Sequence, residues 1–172
     1  PTFVKKMLEM EVPEIANGDI EIVAIAREPG LRTKVAVKTN IPGLDAVGAC
    51  IGNKGMRINT IINELHGEKI DIINYSQDPK EYIISALSPA TVNEVIVNES
   101  TQEAQVLVPE NKLSLAIGKG GHNVRLAAKI TGYKLDVKGE KERAHTNDVV
   151  VANDVNIIVD DVDENIFDDI DD

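Results

Sequence analysis

Hydrophobic and polar positions along the chain follow two periods, and the changes between them predict a series of short helices and strands. Residues 2–10 place apolar side chains at helical spacing, whereas residues 19–28 alternate like a half-buried strand. A Pro-Gly turn at 29–30 leads into a second predicted strand. The remaining elements of this half are a strand over 33–39, a helix over 42–51, a glycine-bracketed loop over 52–55, a helix over 56–65 and a strand over 69–73.

The same order of elements returns in the second half of the chain. Asp78, followed by Pro79, has the form of a helix N-terminus, with aspartate as cap and proline in the first turn. The later predicted elements are strands over 91–97 and 103–108, a helix over 109–117, a loop over 118–121, a helix over 122–130 and a strand over 133–137. Gly52 corresponds to Gly118 at a spacing of 66 residues. This indicates an internal duplication of a unit in which helices cover a three-stranded sheet.

The predicted division of the chain is a first domain over 1–76, a second over 77–139 and a tail over 140–172. The tail carries two basic and twelve acidic side chains, a net charge of -10, whereas residues 1–138 carry 16 basic and 17 acidic ones. The acidity of the chain therefore lies almost wholly in the tail. Both glycine loops fall in locally positive segments, with a net charge of +4 over residues 29–58 and +5 over residues 112–138.

Composition narrows the class of protein further. The single cysteine, Cys50, excludes an internal disulfide and fits a reducing compartment. No apolar run approaches the roughly 18 residues of a membrane helix, and no signal peptide is visible. We expect a cytoplasmic location and no membrane partner. Because the sequence begins with Pro1 rather than Met, we also expect it to be a fragment of a longer chain.

The two glycine loops are the strongest candidates for a binding function. Glycine at each end permits positive φ and close approach of another backbone, and the helix that starts at the loop points free N–H groups and the positive end of its dipole outward. In KH domains, a GXXG loop between helices clamps a four-nucleotide single strand. A glycine pair alone also occurs at a simple helix corner. Its repetition, with flanking helices, a closing strand and local positive charge, favours nucleic-acid binding.

Six segments between residues 3 and 138 indicate a particular family more specifically than the glycine loops do. They are EVPEI, IAREPGLRTKVAV, VGACIGNKG, GEKIDII, ALSPA and LSLAIGKGGHNVRLAAKITGYKLDV. They resemble the tandem KH region of the NusA family of bacterial transcription elongation and termination factors. The resemblance implies an α+β fold of two tandem type II KH domains, packed rigidly into one extended RNA surface. The polymerase-binding N-terminal domain and the S1 domain that normally precede this region in the family are not in this sequence.

The resemblance also implies partners and site residues. The implied partners are single-stranded nascent RNA, RNA polymerase and the other factors of pausing, termination and antitermination. Carried over by position, the RNA-contacting residues are Gly52, Asn53, Lys54, Gly55 and Arg57 in the first copy, and Gly118, Lys119, Gly120, Gly121, His122, Asn123 and Arg125 in the second. The loop glycines would admit phosphates, the lysines would neutralise them, and the arginines would reach phosphates or base edges.

Bases are expected in an aliphatic groove formed by Ile51, Ile58, Ile117 and Val124. With only two Phe and three Tyr, the chain is a poor match for an RRM or cold-shock platform, which stacks bases on exposed rings. The alternative from another class is a protein-interaction scaffold that docks on polymerase or the ribosome and binds little RNA.

Catalysis and cofactor binding find little support in the sequence. Cys50 falls on the apolar face of a predicted helix, which favours a buried, inert thiol. The histidines, at positions 66, 122 and 145, lack metal-ligand spacing. In the tail, Asp161, Asp163 and Asn165 imitate the start of a calcium loop, but Ile166 occupies its obligatory glycine position. We predict no enzyme activity, no cofactor and no metal site.

The tail itself alternates acids with Ile, Val and Phe, a composition typical of disordered segments that bind partners through apolar anchors. A solubilising extension is the simpler interpretation. The functional interpretations are docking on a transcription partner or competition with RNA for the basic face.

Overall fold

The structure, a computed structural model, describes residues 1–141. The helices of this region are α1 (Thr2–Glu11), α2 (Pro13–Ala16), α3 (Ala46–Ile51), α4 (Met56–Glu64), α5 (Pro79–Ala86), α6 (Leu113–Ile117) and α7 (His122–Thr131). The strands are β1 (Ile20–Glu28), β2 (Arg32–Thr39), β3 (Lys69–Asn74), β4 (Glu94–Asn98), β5 (Glu103–Pro109) and β6 (Lys134–Glu140). Single 3-10 turns occupy Asn53–Gly55, Glu110–Lys112 and Lys119–Gly121.

The sequence order predicted from periodicity is reproduced, with one addition. The helix predicted over residues 2–10 ends at Glu11, and a further short helix, α2, then starts at Pro13. Proline suits this position because its missing N–H is not needed in the first turn of a helix. The predicted cap at Asp78 is present, since its carboxylate accepts a hydrogen bond from the Lys80 N–H at 3.1 Å.

Each repeat forms its own three-stranded sheet, with strand orders β1-β2-β3 and β4-β5-β6. In the first sheet β1 is antiparallel to β2, and β2 is parallel to β3. Parallel neighbours cannot be joined by a hairpin and need a crossover. The crossover consists of α3, the glycine loop and α4, so the fold itself places the loop outside the sheet. The predicted α+β architecture of two three-stranded sheets packed with helices is confirmed.

The first core lies between the first sheet and the helices α1, α3 and α4. Leu8, Val35, Val37, Cys50 and Ile61 are fully buried there. This packing fixes both helices that flank the first loop.

The second core includes residues from both repeats. Ala26, Ala36 and Ile73 on the first sheet join Ile83 and Leu126 of the second repeat in one apolar cluster. Helix α7 packs against β1 and β2, where the small alanine side chains allow it to approach closely. Residues 1–139 consequently form one compact unit that carries both loops. The boundary at 76–77 stays a prediction, and the expected disordered tail lies outside the described residues.

Polar side chains also join the two repeats. The ammonium of Lys34 is fully buried and donates to Asp71 Oδ2 at 2.7 Å and to the Ser88 carbonyl at 2.8 Å. Burial lowers the pKa of Lys34, although the Asp71 carboxylate opposes this shift. Arg32 donates to the same Asp71 oxygen at 2.7 Å. A buried cation thus connects the first sheet to the segment that follows α5.

Candidate nucleic-acid interface

The first glycine loop makes a sharp, exposed corner between α3 and α4. At Gly52, φ is 84° and ψ is 168°, and an added Cβ would lie 2.7 Å from Arg57 Cγ and 2.9 Å from Arg57 N. Only glycine fits this position. The following turn holds Lys54 in the left-handed region, with φ 54°, and the side chains of Asn53 and Lys54 are exposed.

The second loop repeats this backbone path. At Gly118, φ is 82° and ψ is 164°, and an added Cβ would lie 2.7 Å from Asn123 Cβ and 2.8 Å from Asn123 N. Gly120 has φ 63°, in the place where the first loop has Lys54. Lys119 and Gly120 are exposed. Both loops therefore present a lysine on a left-handed turn directly before a helix. The first N–H of each helix donates back into the loop, from Met56 to the Asn53 carbonyl and from His122 to the Lys119 carbonyl.

The contacts that an added Cβ would make at matching glycines show which residues of the two loops are equivalent. An added Cβ at the first glycine would touch Arg57 in one copy and Asn123 in the other. At the last glycine it would lie 3.3 Å from the Asn59 amide nitrogen and 3.6 Å from Arg125 Nη1. The predicted pair Arg57 and Arg125 thus occupies two different positions. Sequence reasoning missed the exposed Asn59, although the repeat spacing of 66 residues already pairs it with Arg125.

Arg57 is half-buried beside the first loop. Its Nη1 donates to Glu14 Oε1 at 2.9 Å and to the Ala49 carbonyl at 2.8 Å. The guanidinium therefore ties α4 to α2 and to α3, and part of its charge is compensated by Glu14. Direct RNA contact by Arg57 stays a prediction.

Asn123 lies inside the protein, with 1% of its surface exposed. Its amide nitrogen donates to the Ala116 carbonyl at 2.9 Å and to the Leu87 carbonyl at 3.2 Å, and its oxygen accepts from Arg32 Nη1 at 3.4 Å. These contacts hold the helix before the second loop against the first sheet. The side chain that was predicted to touch RNA points away from the surface in this structure, so its contacts support a role in shaping the loop.

Arg125 follows the second loop and reaches back to the first repeat. Its Nε donates to Glu28 Oε2 at 2.5 Å, and its Nη2 donates to Glu28 Oε1 at 2.9 Å. Its Nη1 donates to the Gly120 carbonyl at 3.2 Å. The hydrogen bond from Arg125 holds the pKa of Glu28 below its usual range.

The remaining predicted contact residues, His122 and the four aliphatic groove residues, differ in how far they are buried. His122 is half-buried at the start of α7, and its buried Nδ1 has no hydrogen-bond partner within residues 1–141. Of the aliphatic groove residues, Ile51, Ile117 and Val124 are half-buried and Ile58 belongs to the core.

Groups suited to other chemistry are few in the described part of the chain. Cys50 is fully buried, and burial raises the pKa of its thiol to about 11, so the thiolate nucleophile is scarce at neutral pH. Among residues 1–141 there is no cluster of His, Cys, Asp and Glu that would hold a metal ion. Over the same range, no helix combines the length and apolarity that crossing a membrane requires.

Comparison with known proteins identifies both repeats. Residues 1–75 match the family of NusA-like first KH domains, and residues 79–145 match that of NusA-like second KH domains. The crystal structure of APE1850 has a similar fold, with a TM-score of 0.57 at 21% identity over 80% of this chain and 96% of that one.

Three curated relatives carry the name transcription termination/antitermination protein NusA. The chain is 53% identical to that of Bacillus subtilis over 142 residues, 52% to that of Mycobacterium tuberculosis over 141, and 54% to that of Thermus thermophilus over 133. These matches cover 83%, 81% and 77% of this chain, and 38%, 41% and 34% of the respective relatives. The chain thus spans well under half the length of these relatives. Together with the two domain matches, this shows that the chain belongs to the NusA family through a tandem pair of NusA-like KH domains.

Proposed function

We propose that the chain binds single-stranded RNA over both glycine loops, as the KH part of a NusA-like transcription factor. The observation that carries the proposal is one loop geometry built twice in a compact unit. Each loop leaves a helix at a glycine that admits no side chain, turns through a left-handed residue and exposes a lysine. A helix corner needs the glycines, but it does not need an exposed cation in both copies.

The loop geometry suggests how RNA is held. The sugar-phosphate backbone passes over each turn, where the exposed Lys54 or Lys119 meets its phosphates. The half-buried Ile51, Ile117 and Val124 beside the loops provide aliphatic surface for the bases. No step of bond making or breaking is involved.

The names of the relatives, which are transcription termination/antitermination proteins, and the family resemblance of the sequence together suggest the setting. The RNA would be the nascent transcript, and the partners would be RNA polymerase and the factors of elongation, pausing, termination and antitermination, all in the bacterial cytoplasm. Titration of a fluorescently labelled, unstructured RNA with the full chain tests the RNA-binding step by anisotropy. Absence of saturable binding, with retention of RNA polymerase on the immobilised chain, would favour the protein scaffold instead.

RNA length should strongly affect affinity. Because both loops lie on one compact unit, contact at the second becomes intramolecular once the first is occupied. We expect an RNA that reaches both loops to bind at least tenfold more tightly than a tetranucleotide, as an estimate from effective concentration. Competition titrations with unlabelled RNAs of increasing length measure this difference. Equal affinity at all lengths would mean that only one loop binds.

Salt should weaken binding with a defined slope. If the two loops neutralise about four to six phosphates, log K against log salt should fall with a slope of roughly -3 to -4. In the double variant Lys54→Asn and Lys119→Asn the slope should become shallower by about 1.4, since each phosphate contact on a single strand contributes about 0.7. An unchanged slope in the variant would contradict phosphate contact by these lysines.

A further inference from the structure

Glu28 and Arg125 form an ion pair between the two repeats, 97 residues apart in sequence, beside the second loop. Glu28 is the last residue of β1, and its carboxylate takes the Nε and Nη2 edge of the guanidinium. The Gly120 carbonyl of the loop takes one N–H of Nη1. The arginine is therefore held at once by the first sheet and by the loop.

Counting donors shows what this arrangement leaves free. A guanidinium has five N–H groups, one on Nε and two on each terminal nitrogen. Three of them are used by Glu28 and Gly120, so one remains on Nη1 and one on Nη2. The Arg125 side chain is 52% exposed. With the Gly120 carbonyl on the Nη1 hydrogen that faces Cδ, the two remaining N–H groups on the terminal nitrogens are parallel and match the two acceptor atoms of a bidentate partner.

The first loop has no arginine held in this way. Its equivalent of Arg125 is Asn59, an exposed amide that carries no charge. The two loops are alike in backbone but differ in the side chain that an added Cβ at the last glycine would meet. A residue that orients Arg125 would therefore act on the second loop alone.

We propose that Glu28 is a positioning residue, which holds Arg125 so that its two remaining N–H groups receive a pair of acceptors on bound RNA. The acceptors are either two oxygens of one phosphate or O6 and N7 of a guanine. This assignment rests on the proposed RNA-binding function and deepens it.

The direction in which RNA affinity changes when Glu28 is replaced separates this positioning role from a purely electrostatic one. Removing a carboxylate near a polyanion should by charge alone strengthen binding. Removing a residue that positions an arginine should weaken it. We expect Glu28→Gln to lower RNA affinity of the full chain about fivefold, measured by anisotropy. Glu21→Gln is the matched control, because Glu21 lies on the same strand and pairs with the exposed Lys38 at 3.6 Å.

Three further variants, Arg125→Lys, Arg125→Gln and the double variant Arg125→Gln with Glu28→Gln, separate positioning from domain packing. Arg125→Lys keeps the charge and an ion pair with Glu28 but loses the fork of parallel donors, and it should lose as much affinity as Glu28→Gln. In the Arg125→Gln background, Glu28→Gln should cause no further loss. Full additivity, or an Arg125→Lys protein that binds as the parent does, would overturn the assignment. Thermal unfolding of each variant confirms that it is folded.

The RNA itself distinguishes the two kinds of acceptor. A loss in Glu28→Gln that is equal on all-uridine and guanine-containing RNA identifies phosphate, whereas a loss confined to guanine-containing RNA identifies the base edge; either result supports positioning. Unchanged or tighter binding by Glu28→Gln, with normal binding by the parent, would overturn this inference alone. A parent chain that binds no RNA would overturn the proposed function and this assignment with it.

Discussion

Aspartate at the four variable positions of the loops is expected to remove most RNA affinity. The variant combines Asn53→Asp, Lys54→Asp, Lys119→Asp and Gly120→Asp, so each loop exchanges a cation and a neutral residue for two carboxylates. The phosphate path would then meet four negative charges. We expect binding to weaken about a hundredfold, ~2.7 kcal/mol, in the anisotropy titration.

The fold should survive this change. Gly52 and Gly118, which admit no Cβ, are untouched, and the substituted residues are exposed. Lys54 and Gly120 have φ of 54° and 63°, a region that aspartate and asparagine tolerate better than most residues.

The matched control keeps Asn53 and introduces Lys54→Asn, Lys119→Asn and Gly120→Asn. It imposes the same backbone demands without carboxylates, so it should retain much more affinity than the aspartate variant. Circular dichroism and thermal unfolding should be the same for both proteins. A folded aspartate variant that binds RNA as well as the parent would reduce the loops to helix corners and would overturn the proposed function.

Sequence reasoning reached the elements and the repeat because their signals are local. Strand alternation, the Pro-Gly turn before β2 and the glycines that bracket each loop act over a few residues, and these features predicted the order of elements. The left-handed turn at Gly120 is expected because glycine adopts positive φ without steric cost. Lys54 in the same conformation shows that the backbone path belongs to the repeat, whichever residue occupies it.

Contacts between distant residues were beyond the reach of the sequence. Nothing local distinguishes Asn123 as a buried amide, because two of its partners, the Leu87 carbonyl and Arg32, lie 36 and 91 residues away in sequence. The partner of Arg125 is Glu28, which lies in the other repeat. Charge counting treated such arginines as free cations, whereas the structure pairs Arg57 with Glu14 and Arg125 with Glu28.

The turn between β1 and β2 begins directly after Glu28, and one buried carboxylate organises it. Glu68 is 2% exposed and accepts from Arg27 Nε and Nη2, each at 2.9 Å, from the Gly30 N–H at 3.0 Å and from the Thr33 hydroxyl. Burial disfavours its ionised form, but the hydrogen bonds from Arg27, Thr33 and Gly30 outweigh burial and hold the pKa of Glu68 at about 2.

Glu68→Gln should therefore cost more stability than any surface substitution, about 3 kcal/mol of the free energy of unfolding at pH 7, as expected when a buried ion pair loses one partner.

This loss of stability should become smaller as the pH falls. Since the pKa of Glu68 is lower in the folded protein than the roughly 4.3 of an unfolded chain, its stabilisation is complete above that value. It declines as pH falls toward about 2, so the difference between parent and variant should shrink between pH 5 and pH 3. Urea denaturation of both proteins across this range measures the difference, with Glu21→Gln as an exposed control expected to change stability by no more than about 0.5 kcal/mol. A Glu68→Gln protein as stable as the parent at pH 7, or a difference that stays constant down to pH 3, would show that this carboxylate does not hold the turn.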